Sequence, residues 1–176
     1  MLDVALAYRR YQFLGEEFLT WLWYLIEKEP GRLPRIDKQL AALEIGRRMV
    51  IIKRGSGEND ETVTIKGANA EMDEGLLALK KGGMVAELHL IYRSGDNEWQ
   101  FNLKGESLNI SSLKVPETGK IESDDEIEGA VIEKIYLLGQ IVNLVNALFR
   151  SFVKLRVGPK WEGQIVPAIR EWIAAG

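Results

Sequence analysis

The chain has 176 residues, 46% of them hydrophobic and 28% charged, with a net charge of −3 and no cysteine. A chain of this length and balance can bury a sizeable core without covalent staples, and its lack of cysteine excludes disulfides, thiolate metal sites and cysteine nucleophiles. The acidic balance leaves any nucleic-acid binding to local clusters of cations.

Residues 1–12 read as a connecting or edge segment. Arg9 and Arg10 precede an apolar run, but Glu16 and Glu17 interrupt it and no small-residue cleavage site follows, so no signal peptide is expected. From Phe13 to Ile26 a helical period holds, with Glu16, Glu17, Thr20 and Glu27 on a polar face. Glu29-Pro30-Gly31 ends that helix, and Pro34 to Leu43 can hold a short helical turn. The period then changes to two. Ile45 to Arg54 and Glu61 to Gly67 flank a turn cluster over 55–60 and predict a hairpin. Glu71 to Lys81 predicts a short amphipathic helix with Leu76, Leu77 and Leu79 inward, closed by Gly82-Gly83. Three more strands are predicted, over Met84 to Arg93, Glu98 to Lys104 and Leu108 to Val115. Pro116 to Asp125 is a loop.

Ile127 to Val157 is the longest apolar stretch. Glu133, Gln140, Asn143, Arg150 and Lys154, with Tyr136 and Ala147 between them, trace one narrow polar stripe along a helix. A helix so apolar around most of its girth needs cover on several sides. Ser123 and Glu126 form a capping-box pattern at its start, and Gly158-Pro159 stops it. Fully helical, it would run to about 45 Å, so a bend near Gly139 or a projecting end is expected. Glu133 and Lys134 make a bilayer placement costly, and the stretch reads as a core or dimer helix whose apolar points include Leu138, Ile141, Leu144, Val145, Leu148 and Phe152. Trp161 to Ala175 predicts a last helix, with Trp161, Ile165, Ala168, Ile169 and Trp172 on one side and a kink or late start at Pro167. Hairpin-linked strands with helices at both ends of the chain predict one α+β domain over 1–176, an antiparallel sheet of about five strands covered by helices.

No reaction is legible. His89 is the lone histidine and lies on a strand without a nucleophile pattern around it, so a structural or solvent role is the plainer one. Glu16 and Glu17 diverge on a helix and read as a solvated face. Asp124-Asp125-Glu126 is explained by a helix dipole, and Asp73-Glu74 only superficially resembles a metal cluster. Gly55-Ser56-Gly57 and Gly82-Gly83 fit no phosphate loop. Catalytic residues, metal and cofactor are therefore expected to be absent. Cations do cluster. Arg47, Arg48, Lys53, Arg54 and Lys66 lie along the first hairpin, and Arg150, Lys154 and Arg156 on the last turns of the long helix. Either group can meet phosphates, though a solvated face with dipole compensation also accounts for them.

Phe13 to Trp23 (FLGEEFLTWLW) resembles the stretch that opens the C-terminal half of the RdgC family, the bacterial recombination-associated DNA-binding proteins. Lys80-Lys81-Gly82-Gly83-Met84-Val85, Glu87-Leu88-His89-Leu90, Asn97-Glu98-Trp99-Gln100-Phe101 and Leu138-Gly139-Gln140-Ile141-Val142-Asn143-Leu144-Val145 are similar to later features of that family, in the same order. The resemblance covers roughly residues 13–156; the family's N-terminal half has no counterpart in it. It implies a non-enzymatic, cytoplasmic, nucleoid-associated protein that binds duplex DNA through phosphates without sequence preference. It also implies a homodimer, with a longer family member or a recombination protein as further partners. Lys66 stands where the family places basic residues after the matching strand, but Gly67 and Ala68 replace charged or polar neighbours. An interaction or dimerisation module that has lost DNA binding is the alternative, and a metal-dependent nuclease a more distant one.

Overall fold

Helical and two-residue periods succeed one another along the chain, and the elements follow them. The computed structural model describes residues 4–55, 60–67, 72–119, 123 and 126–176. Helix α1 spans Val4–Lys28, α2 Leu33–Ile36, α3 Met72–Lys80, α4 Ile127–Arg156 and α5 Val166–Ala175. Strands β1 (Leu43–Lys53), β2 (Glu61–Lys66), β3 (Met84–Ser94), β4 (Asn97–Lys104) and β5 (Ile110–Lys114) form one antiparallel sheet in the order β2-β1-β3-β4-β5. The architecture is α+β, as the order of periods predicts.

One face of the sheet is the core face. Met49 and Ile51 of β1, Val85, Leu88, Leu90 and Tyr92 of β3, and Trp99, Phe101 and Leu103 of β4 are all buried. Against them lies α1, whose residues from Phe18 to Leu25 are buried around the whole girth. The reason is double cover. The sheet takes one side of α1, while Phe149 and Phe152 of α4 and Trp172 of α5 take the others, with ring centroids 4.9–5.6 Å from those of α1. Each fully buried side chain of this size contributes about 1.5–3 kcal/mol, so α1 is the axis of the core.

Two glycines set how closely α1 approaches the sheet. A Cβ on Gly15 would lie 1.7 Å from the carbonyl oxygen of Gly105 in the β4–β5 turn. Helix and turn therefore meet backbone to backbone, and no larger residue fits. At Gly82, φ is +90°. Gly82 N–H donates to the Leu79 carbonyl and Gly83 N–H to the Ala78 carbonyl, which closes α3.

Several expectations need correction. Residues 4–12 are the first turns of α1, not a connecting segment. The polar face of α1 is not solvated at its centre. Glu16 and Thr20 are only 4% and 5% exposed, because they face the sheet. Thr20 donates to the Glu16 carbonyl at 2.8 Å and accepts from Val85 N–H at 3.1 Å, while the Glu16 carboxylate pairs with Arg54. Leu77 is exposed on α3, since Leu76 and Leu79 already define its inward side. The cap of α4 is Glu126 rather than Ser123, whose carbonyl instead accepts from Glu126 N–H at 3.1 Å. The last helix does make the late start expected at Pro167: Trp161–Ile165 is a π-helical stretch, and α5 begins at Val166 with Pro167 in its first turn, where a missing N–H costs nothing. The turn residues 56–59, Ala68, Glu71, and Asp124-Asp125 lie outside the described residues.

The two ends of α4 differ most from the single covered helix that its composition suggests. Leu137, Ile141, Leu144, Val145, Leu148 and Phe152 are buried. Ile127, Val131, Ile132, Ile135 and Tyr136 are exposed, Ile135 and Tyr136 by 62% and 65%, and Leu138 and Val142 are exposed beside the core face. None of the side chains from Ile127 to Tyr136 is buried. The last clear tie before that end is the Trp99 indole, which donates to the Leu137 carbonyl at 3.1 Å. Among the described residues, α4 is the one helix long and apolar enough to cross a membrane by length and composition.

Candidate nucleic-acid interface

Cations of the first hairpin are spread rather than gathered. Arg54 is committed to Glu16 and Asp60, and the hydrogen bond to Glu16 raises its pKa further. Lys53 sits opposite Glu61 in the β1–β2 register. Arg48 and Lys66 are cross-strand neighbours on the outer face and share a shallow hollow with Thr64 and Glu74, but Arg48 also lies 3.8 Å from Glu87. Arg47 occupies a bulge. Ile45 faces Leu90 and Met49 faces Leu88, so β1 takes four steps where β3 takes two. Inside that bulge Arg47 N–H donates to His89 Nδ1 at 3.2 Å, and Gly46 leaves room for the imidazole ring. Burial, then the charges of Lys114 and Arg47, push the His89 pKa down. Its Nδ1 is an acceptor, so the ring is held neutral with its proton on Nε2.

Helical cations do converge. Arg150 and Lys154 of α4 meet Arg32, which precedes α2, and Arg35 of α2 around one open cleft of about 710 Å³. Trp21, Leu25, Ile36, Ala147 and Leu155 supply its apolar wall, and Ser151 adds a hydroxyl. Arg32 is held by Glu29, whose carboxylate also accepts from the Tyr24 hydroxyl at 3.0 Å. Arg35, Arg150 and Lys154 have no carboxylate within ion-pair distance among the described residues. Trp21 has a buried indole N–H with no acceptor among the described residues. Arg156, the third cation expected on this helix end, is turned away. Its guanidinium pairs with Glu17 at 2.7 Å and lies over the Trp161 ring at 5.4 Å.

This cleft thus holds two of the eight cations named from the sequence, Arg150 and Lys154, and adds Arg32 and Arg35, which the sequence pattern does not mark. Arg32 and Arg35 stand in a short irregular segment whose period gives no face. The proline at Pro34 and the break after α1 were the available signals, because they fold that segment back over the α1–α4 pair. No hairpin cation lines this cleft. Among the described residues, no three His, Asp or Glu side chains stand close enough to hold a metal ion. No family model matches the chain, and no curated protein matches it.

Proposed function

We propose that this chain is a non-enzymatic, sequence-independent DNA-binding protein of bacterial recombination, acting as a homodimer in the cytoplasm. The ordered resemblance to the RdgC family suggests the role. The observation that supports it most directly is the meeting of Arg32, Arg35, Arg150 and Lys154 around one cleft on a chain of net negative charge. Guanidinium and ammonium groups at one place, those of Arg35, Arg150 and Lys154 without a carboxylate partner among the described residues, are donors for phosphate oxygens, and they read no base.

Salt is the test. Duplex DNA should bind with an affinity that falls steeply as salt rises, since each neutralised phosphate releases counterions. Exchanging both Arg150→Glu and Lys154→Glu should leave the fold intact, weaken binding at least tenfold, and flatten the salt slope by about one for each cation removed. Binding indifferent to salt, or a double variant of equal affinity, would overturn the reading.

A second reading has its own observation. Ile127, Val131, Ile135, Leu138 and Val142 follow steps of four, four, three and four, and all are exposed. Such a seam suits a helical partner. A protein-interaction module, joined to a second copy or to another recombination protein, would use it without DNA.

A further inference from the structure

We infer that the α1–α2–α4 cleft is a discrete site for one nucleotide carrying a terminal phosphate. The phosphate would rest on Arg35, Arg150 and Lys154, and the base or sugar on the wall of Trp21, Leu25, Ile36 and Leu155. This rests on the nucleic-acid reading above but differs from a track along a duplex.

Shape is the first argument. The cleft measures about 710 Å³, within the roughly 300–1,000 Å³ usual for a small-ligand pocket. It is concave and part apolar, whereas a surface that only follows phosphates needs no hydrophobic wall. Charge is the second. Four cations against the one carboxylate of Glu29 leave three positive charges in excess. A backbone diester brings one negative charge, while a terminal phosphate brings about 1.5–2 at neutral pH. On a single nucleotide, a monoester or a diphosphate therefore neutralises more of this excess than one diester does. Spacing along α4 is the third. Arg150 and Lys154 are four residues apart and lie on one face with Ala147, so the helix presents cations and apolar surface side by side. Ser151 offers a neutral donor between them, and the Arg35 guanidinium can close the opposite side as a two-pronged donor.

The nucleotide has two sources, a phosphorylated strand end or a free nucleotide. Labelled octathymidylate with a 5′ phosphate, the same strand without it, and a covalently closed duplex circle should be titrated in parallel, with thymidine diphosphate as competitor. The phosphorylated strand should bind at least tenfold tighter than the bare one. Ala147→Phe, which fills the cleft without changing charge, should abolish that ratio. Arg35→Glu, at an exposed position, should abolish the ratio as well and serves if the Phe variant fails to fold. Competition by thymidine diphosphate at concentrations near its own affinity assigns the site to free nucleotides; displacement only by the strand assigns it to ends. A ratio of one in the native chain, or a ratio that survives either folded variant, overturns the inference. A circle that fails to bind while the ratio holds overturns the duplex-binding proposal alone.

Discussion

The two halves of α4 have nearly the same composition and opposite fates. From Leu137 onward the helix lays Ile141, Leu144, Leu148 and Phe152 into a core shared with Phe18 and Trp21. Before Leu137, Val131, Ile132, Ile135 and Tyr136 face outward. Apolar composition fixes that a surface favours cover, but not which molecule supplies it. Among the described residues, the first tie of α4 to the sheet is the Trp99–Leu137 hydrogen bond.

Substitutions can break that contrast. Leu144→Asp places a carboxylate in the core, where an unpaired charge costs several kcal/mol, and should unfold the chain or nearly so in a thermal melt. Ile135→Asp should shift the melt of the monomer by less than about 0.5 kcal/mol, as an open surface change. The same variant should lower the solution mass if the exposed seam joins two copies. An unchanged mass in a chain that is dimeric without the substitution would remove the seam from the interface, and a melt as damaged as that of Leu144→Asp would remove the contrast itself.

Glycines sharpen it at smaller scale. Gly15→Ala drives a methyl into the Gly105 carbonyl, and should cost about 1–3 kcal/mol or more, the usual overpacking penalty. Gly139→Ala lies at the joint of the two halves and meets nothing within 4 Å. There the helix should gain up to about 1 kcal/mol. Denaturant midpoints measure both, and a Gly15→Ala midpoint equal to the native one would mean that α1 does not touch the turn.

The smallest effect lies outside α4. The folded His89 pKa is lowered, chiefly by burial, so the unfolded chain takes up a proton first as pH falls. Stability should be complete above about 6.5, the ordinary imidazole value, and decline as pH drops through it. Urea midpoints at pH 7.5 and 5.5 should show this decline, and His89→Asn should reduce it. An equal slope in both proteins would assign the decline to carboxylates.

Most of the fold was legible because periods of two and of three to four alternate cleanly. Val85, Leu88, Leu90 and Tyr92 announce a half-buried strand, and all four are buried. Glu16 and Thr20 were misread because a polar side chain on a helix carries no sign of a partner 38 or 65 residues away. The site was half legible. Arg150 and Lys154 stand on a helix whose face can be counted from sequence, whereas Arg32 and Arg35 reach the cleft only through the fold of a segment without period. Arg54 and Arg156 were candidates by composition and are occupied by Glu16 and Glu17, which only tertiary contact reveals.

The glycine contact between α1 and the β4–β5 turn also dictates an order of assembly. Gly15 precedes Gly105 by most of the sheet, so during synthesis α1 emerges long before the turn it rests on. Phe149 and Phe152, which cover its other side, come later still. The cover of α1 is therefore complete only after α4 has been made. Until then Phe18, Leu22 and Trp23 are open to other chains, and loop closure over so many residues slows the event that hides them. Refolding at rising protein concentration should lose yield for this reason, and most steeply where the glycine pair is disturbed.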